Sequence, residues 1–174
     1  MKAAHERRTW SAFSMAEVIV VILILAIAAA IVVPQMTTAS ESQVTGAARV
    51  LASDLETARS LAVTTQQPHS LVFNGDRTAY KVVRNYTGGA YASAQAIAHP
   101  IRRGQVYEVN LARQGGMDRV TVTAATFGGA GYVTFDSQGE PSSAGTITVE
   151  AGAFGMTISV EALTGSVSVA QAGG

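Results

Sequence analysis

The sequence predicts an α+β protein: one long N-terminal helix, its first half membrane-competent and its second half amphipathic, packed on an antiparallel β-sheet domain. Three observations carry this. From Val18 to Val33 no side chain is polar. Beyond Pro34 the chain turns polar, yet Val44, Ala48, Leu51, Leu55, Ala58 and Ala62 recur at spacings of three and four, the signature of one apolar helical stripe. From Ser70 onward the period drops to two, and glycines fall between short runs rich in Val, Thr and aromatic residues.

Residues 1–12 form a polar leader in which Lys2, Arg7 and Arg8 are opposed only by Glu6. Positive charge ahead of an apolar run holds that end in the cytoplasm, so the remainder is expected to face outward. Residues 13–36 form the membrane and assembly segment. Val18 to Val33 covers about 24 Å as a helix, and the flanking residues bring the segment to about the 20 positions a bilayer requires. Glu17 stands at its leading edge, where an ionisable group is costly without a partner or access to the interface.

Residues 37–67 continue the same helix as its amphipathic half. Glu56 and Arg59, three apart, suggest a weak local pair on a second face. Gly46 is its weak point, costing about 1 kcal/mol relative to Ala. The helix is expected to end near Thr65 to Gln67, because Pro68 cannot continue it.

Residues 68–174 are the β-rich head. Leu71 to Phe73, the turn Asn74-Gly75-Asp76 and the alternating run Thr78 to Val83 read as a hairpin. Asn85 to Pro100 reads as loop, with a short strand near its end. Further strands are expected at Val106 to Leu111, Arg119 to Thr126, Gly131 to Phe135, Thr146 to Glu150, Met156 to Val160 and Ser166 to Val169. The glycine-rich Gly128-Gly129-Ala130-Gly131 joins two strands, not a strand and a phosphate-binding helix, and so reads as a turn.

The formal net charge is zero and only 14% of residues are charged, so no global field gathers nucleic acid or acidic substrates. Arg77, Lys81, Arg84, Arg102, Arg103 and Arg113 are interleaved with acids, and Val167 to Gly174 carries no charge, which argues against nucleic acid as a partner. The doublet Arg102-Arg103 reads as a solvated loop edge. No cysteine is present, which excludes disulfides and thiolate metal sites. His5, His69 and His99 are too dispersed for a metal site and read as exposed or loop residues. Asp118, Asp136 and Glu140 could supply oxygen ligands to calcium, but not at the spacing of a binding loop. No catalytic residue, metal or cofactor is expected, and the chain does not read as an enzyme.

The run Ala12-Phe13-Ser14-Met15-Ala16-Glu17-Val18, its apolar continuation and Pro34 resemble the amino-terminal motif of type IV pilins and type II secretion pseudopilins. That resemblance implies a pilin-like fold. It also implies cleavage between Ala12 and Phe13 by a prepilin peptidase, N-methylation of Phe13, a subunit-docking role for Glu17 and a helix kink at Pro34. The freed amine of Phe13 would then lie one helical turn from Glu17. Ala12 stands where glycine is usual, and Ser14-Met15-Ala16 replaces the more frequent Thr-Leu-Ile.

The head narrows the likeness. Leu55-x-x-Ala58-Arg59-x-x-Ala62 with Gln66-Gln67-Pro68 and Leu71 to Phe73 is similar to the H-type minor pseudopilins (general secretion pathway protein H). So is the order Phe135-Asp136-x-x-Gly139, Gly145-Thr146-Ile147, Ile158 to Val160 and Thr164-Gly165. The expectation is a minor pseudopilin of a type II secretion pseudopilus, held in the bacterial inner membrane by one span before assembly, with its head in the periplasm. Its partners would be other pilin-type subunits, the processing peptidase and methyltransferase, and membrane lipid. The alternatives are a FimT-like minor type IV pilin that binds DNA for uptake, and a conventionally secreted β-rich protein cut near Ala26 to Ala30.

Overall fold

The structure is a computed structural model that describes residues 14–173; the side chains of residues 31–38 and 112 lie outside that description. One helix, α1, runs from Met15 to Thr65, and eight strands follow: β1 His69–Phe73, β2 Ala79–Arg84, β3 Glu108–Asn110, β4 Thr121–Phe127, β5 Tyr132–Phe135, β6 Gly145–Ala151, β7 Phe154–Val160 and β8 Val167–Gln171. The chain divides into two compact units, Met1–Thr37 and Thr38–Gly174.

In the first unit, α1 starts at Ser14, whose Oγ accepts the Ala16 N–H at 3.3 Å. The Ser14 carbonyl takes the Glu17 and Val18 amides at 3.0 and 3.2 Å. Ser14 is therefore the N-cap and Glu17 the third helical residue, the Ser-x-x-Glu spacing of a capping box. Among the described residues no helix is long and apolar enough to cross a membrane. The described apolar stretch stops at Ala30, and Ile31, Val32 and Val33 extend it in sequence.

In the second unit, α1 buries Val44, Ala47, Ala48, Leu51, Leu55, Ala58 and Ala62, the stripe expected from the spacing plus Ala47. These residues share one core with Leu71, Tyr80, Val82, Phe127, Val133, Phe135, Ile147, Val149 and Ile158 from the strands. The helix ends as a Schellman motif: Gln66 adopts φ +55° and the Gln67 amide donates to the Ala62 carbonyl at 3.3 Å. Pro68 then stops it.

The strands form two antiparallel sheets, ordered β3-β2-β1-β5 and β4-β6-β7-β8. The β1–β2 hairpin pairs His69 with Arg84 and Phe73 with Tyr80. Its turn places the left-handed residue at Arg77, φ +55°, not at Gly75; Asn74 holds the turn by accepting the Ala79 amide through Oδ1 at 3.0 Å. Between β4 and β5, which lie in different sheets, Gly128 (φ +58°) and Gly129 (φ +89°) make a tight turn closed by Phe127 and Ala130, which exchange hydrogen bonds. The expected strand from Val106 to Leu111 is shorter than predicted. Asn110 Oδ1 accepts the Arg113 amide at 3.2 Å and turns Leu111–Arg113 into 3-10 helix.

Candidate functional site

The residues expected to carry assembly chemistry lie on α1 and just before it. Glu17 lies in its first turn and is exposed. Ala12 and Phe13, the expected cleavage pair and methylation site, lie outside the described residues, as does His5. Pro34 falls within the backbone span of α1, Met15–Thr65, and its side chain is outside the description. From Val18 to Leu25 each residue is about half exposed, with Val21 at 49% and Ile22 at 60%, so no single face is turned away from solvent. A helix that is apolar all round and buries no face within its own unit needs another surface to cover it.

Two side-chain clusters tie α1 to the head. The first is built on Asp54, which flanks the apolar stripe between Leu51 and Leu55. Its Oδ2 accepts the phenol of Tyr80 at 2.5 Å and its Oδ1 that of Tyr107 at 2.8 Å. Burial pushes the Asp54 carboxyl above its usual range, and the two phenol donations only partly oppose this. Burial, reinforced by the Asp54 charge, raises both phenols, which therefore remain protonated donors. The His99 ring stacks on Tyr107 with centroids 4.3 Å apart.

The second cluster is built on Arg59. Its Nε donates to the Gly139 carbonyl at 3.1 Å instead of pairing with Glu56. Gly139 and Gly165 both adopt positive φ, +84° and +62°, and a Cβ at either would stand 3.1 Å from Arg59 Nε. A side chain at Gly165 would also meet the Gly139 carbonyl. Arg59 thus joins the helix to the turns that follow β5 and β7. This brings together three residues that the sequence presents as separate motifs.

The remaining candidates are engaged structurally. His69 is buried in β1 and its Nδ1 donates to the Gln67 carbonyl at 2.9 Å, so it is neither exposed nor in a loop. Asp118 accepts from Gln43 Nε2 at 3.3 Å, and Asp136 Oδ1 accepts the Gln138 and Glu140 amides of its own turn at 2.9 Å each. Of the three carboxylates proposed for calcium, Asp136 and Glu140 share one turn and Asp118 belongs to another, and among the described residues no group of three His, Asp or Glu side chains could hold a metal. The Asp54 cluster joins residues 26 and 53 positions apart. The sequence signal for it is a lone acid at the margin of a buried stripe.

Over residues 47–165 the sequence matches the family described as Type II transport protein GspH. No curated protein matches the chain. Among solved structures, the type IV minor pilin FimU of Pseudomonas aeruginosa (strain PAO1) has a TM-score of 0.53 at 18% identity, over 74% of this chain and 89% of that one. The minor pseudopilin EpsH from the type II secretion system of Vibrio cholerae has a TM-score of 0.55 at 9% identity, over 77% and 97%. At such identities the likeness is one of fold. The matched span starts beyond Glu17 and Pro34, so it covers α1 from residue 47 and the head as far as residue 165, but neither the apolar half of α1 nor β8.

Proposed function

The chain belongs to the GspH family, and from that premise we propose that it is a minor pseudopilin: a structural subunit of a type II secretion pseudopilus, anchored in the inner membrane before assembly. The observation that carries the proposal is the apolar stretch Val18 to Ala30, exposed on every face and joined to a head of this family. In lipid that stretch is solvated by acyl chains; in a filament it is covered by the same stretch of neighbouring subunits.

The proposed sequence of events begins with the basic leader, which keeps residues 1–12 in the cytoplasm while the head faces the periplasm. Cleavage between Ala12 and Phe13 creates an amine, which is then methylated. As helices leave the bilayer and bundle, Glu17 pairs with such an amine on its own or a neighbouring chain. In that low-dielectric bundle an unpaired carboxylate is heavily penalised, so pairing selects one axial register. Pro34 loosens the helix between its apolar and amphipathic halves by removing one backbone donor. The partners are other pilin-type subunits, the processing enzyme and membrane lipid, and the chain carries out no catalysis.

Sequencing the mature N-terminus tests the first step; Phe13 is expected, whereas a start near residue 30 would mark a conventionally secreted protein. Glu17→Ala tests the second. The variant should fold its head and fail to co-purify with other pilin-type subunits, and normal co-purification would refute the docking role. A minor type IV pilin is the second reading, favoured by the FimU fold likeness. Filament purification from cells carrying only one of the two systems separates them.

A further inference from the structure

The turn between Ala98 and Val106 stands apart from the other loops of the head. Among the described residues the head exposes four large apolar side chains, Ile101, Val106, Leu163 and Val169, and two of them belong to this turn, Ile101 at 85% and Val106 at 58%. Isolated exposed apolar residues are ordinary. Here, however, the backbone beneath them is held firmly. Ala98 bridges to Val106, the His99 amide donates to the Gln105 carbonyl at 2.8 Å, and the Tyr107 amide donates to Ile97 at 2.7 Å. At the tip, His99 Nδ1 accepts the Ile101 and Arg102 amides at 3.2 Å each. The base is propped from behind, because His99 stacks on Tyr107 and Tyr107 is bonded to Asp54 of α1. An exposed isoleucine on a turn this constrained loses little entropy when it is captured.

At its tip the charge has one sign, while the nearest carboxylates, Asp54 facing Arg102 from behind and Glu108 after Tyr107, lie at its base. From His99 to Tyr107 the turn carries Arg102 and Arg103, both exposed, and no carboxylate. An apolar anchor ringed by cations fits a protein pocket with an acidic rim, the arrangement in which a central apolar contact supplies affinity and rim charges supply orientation. Single-stranded nucleic acid would call for exposed aromatic rings on which bases stack. The ring of this turn, Tyr107, is buried and its phenol is committed to Asp54.

We infer that residues 98–106 form a docking finger, with Ile101 as its anchor and Arg102 and Arg103 as its rim, that inserts into an acidic-rimmed apolar pocket on the head of a neighbouring filament subunit. This rests on the subunit role proposed above and gives that role a contact in the head, separate from the helix bundle.

The test uses the full chain in cells that hold the other pilin-type subunits, with a photo-reactive benzoylphenylalanine placed singly at Ile101, at Leu163 or at Ile22. Leu163 is a comparably exposed apolar residue on another turn, 81% exposed, and Ile22 reports helix bundling. Illumination at position 101 should give one discrete adduct, identified by mass spectrometry as a second pilin-type subunit, well above the yield at position 163. Adding Arg103→Glu should cut that yield about tenfold, as expected when a rim charge is reversed, while Arg103→Lys should retain it. The Arg103 side chain is exposed, so thermal melting should be unchanged. Equal adducts at positions 101 and 163, an adduct with lipid, nucleic acid or an unrelated protein, or indifference to Arg103→Glu would each overturn the finger. Pilin-type adducts at position 22 but not at 101 would sink the finger and leave the subunit role standing; none at position 22 would sink both.

Discussion

Glu17 has two physical roles that the obvious alanine variant does not separate. It occupies the third position of α1 behind the Ser14 cap, where a carboxylate favours the helix N-terminus by about 0.3–1 kcal/mol. It is also the acid expected to pair with an amine in a bundle. Glutamine fits a capping box as glutamate does, yet carries no charge. Glu17→Gln should therefore keep the helix start and still abolish co-purification with other pilin-type subunits; retained assembly would reduce Glu17 to a cap. Asp54 offers a second test at this scale. Burial raises its carboxyl above the usual carboxylate range, so the folded state holds this proton more tightly than the unfolded chain does. That contribution is complete below the unfolded value and fades as pH rises through the higher folded one. Denaturation midpoints of the wild type should fall, relative to Asp54→Asn, as pH is raised from about 4; parallel pH profiles would show that burial does not govern this acid.

The elements divide by how locally they are encoded. The stripe from Val44 to Ala62 and the alternating runs match α1 and eight strands near their expected places, because each is set by residues a few positions apart. The 3-10 turn at Leu111–Arg113 was missed because one side-chain bond from Asn110 decides it. The division of the strands into two sheets, the burial of His69 and the tyrosines around Asp54 depend on pairings across tens of residues, which no local period records. The motifs around Arg59, Gly139 and Gly165 lay between these cases, legible as an order of residues but not as one contact. Gly165→Ala should cost about 1–3 kcal/mol in a chemical melt, from a Cβ forced against the Gly139 carbonyl and a strained positive φ. Gly46 gives the opposite expectation. A Cβ there meets nothing within 4 Å, so Gly46→Ala should raise stability by about 0.5–1 kcal/mol; a loss would mean that the open space is needed by something else.

For the whole molecule, the decisive point is where the buried surface lies. The core begins at Val44 and all of it falls within Thr38–Gly174, whereas the apolar stretch Val18 to Ala30 buries no face within its own unit. The two halves of α1 should therefore separate physically. A fragment of residues 38–174 keeps about 42 Å of helix and every core contact, so it should fold as a monomer and melt within a few degrees of the full chain in detergent micelles. The full chain without detergent or lipid should self-associate, since an all-round apolar helix has only other copies to cover it. Circular dichroism melts and light scattering read both outcomes. A fragment that loses its helical signal would mean that the head is stabilised by the segment before it. A full chain that stays monomeric in plain buffer would remove the driving force on which bundling depends, whatever the fate of Glu17.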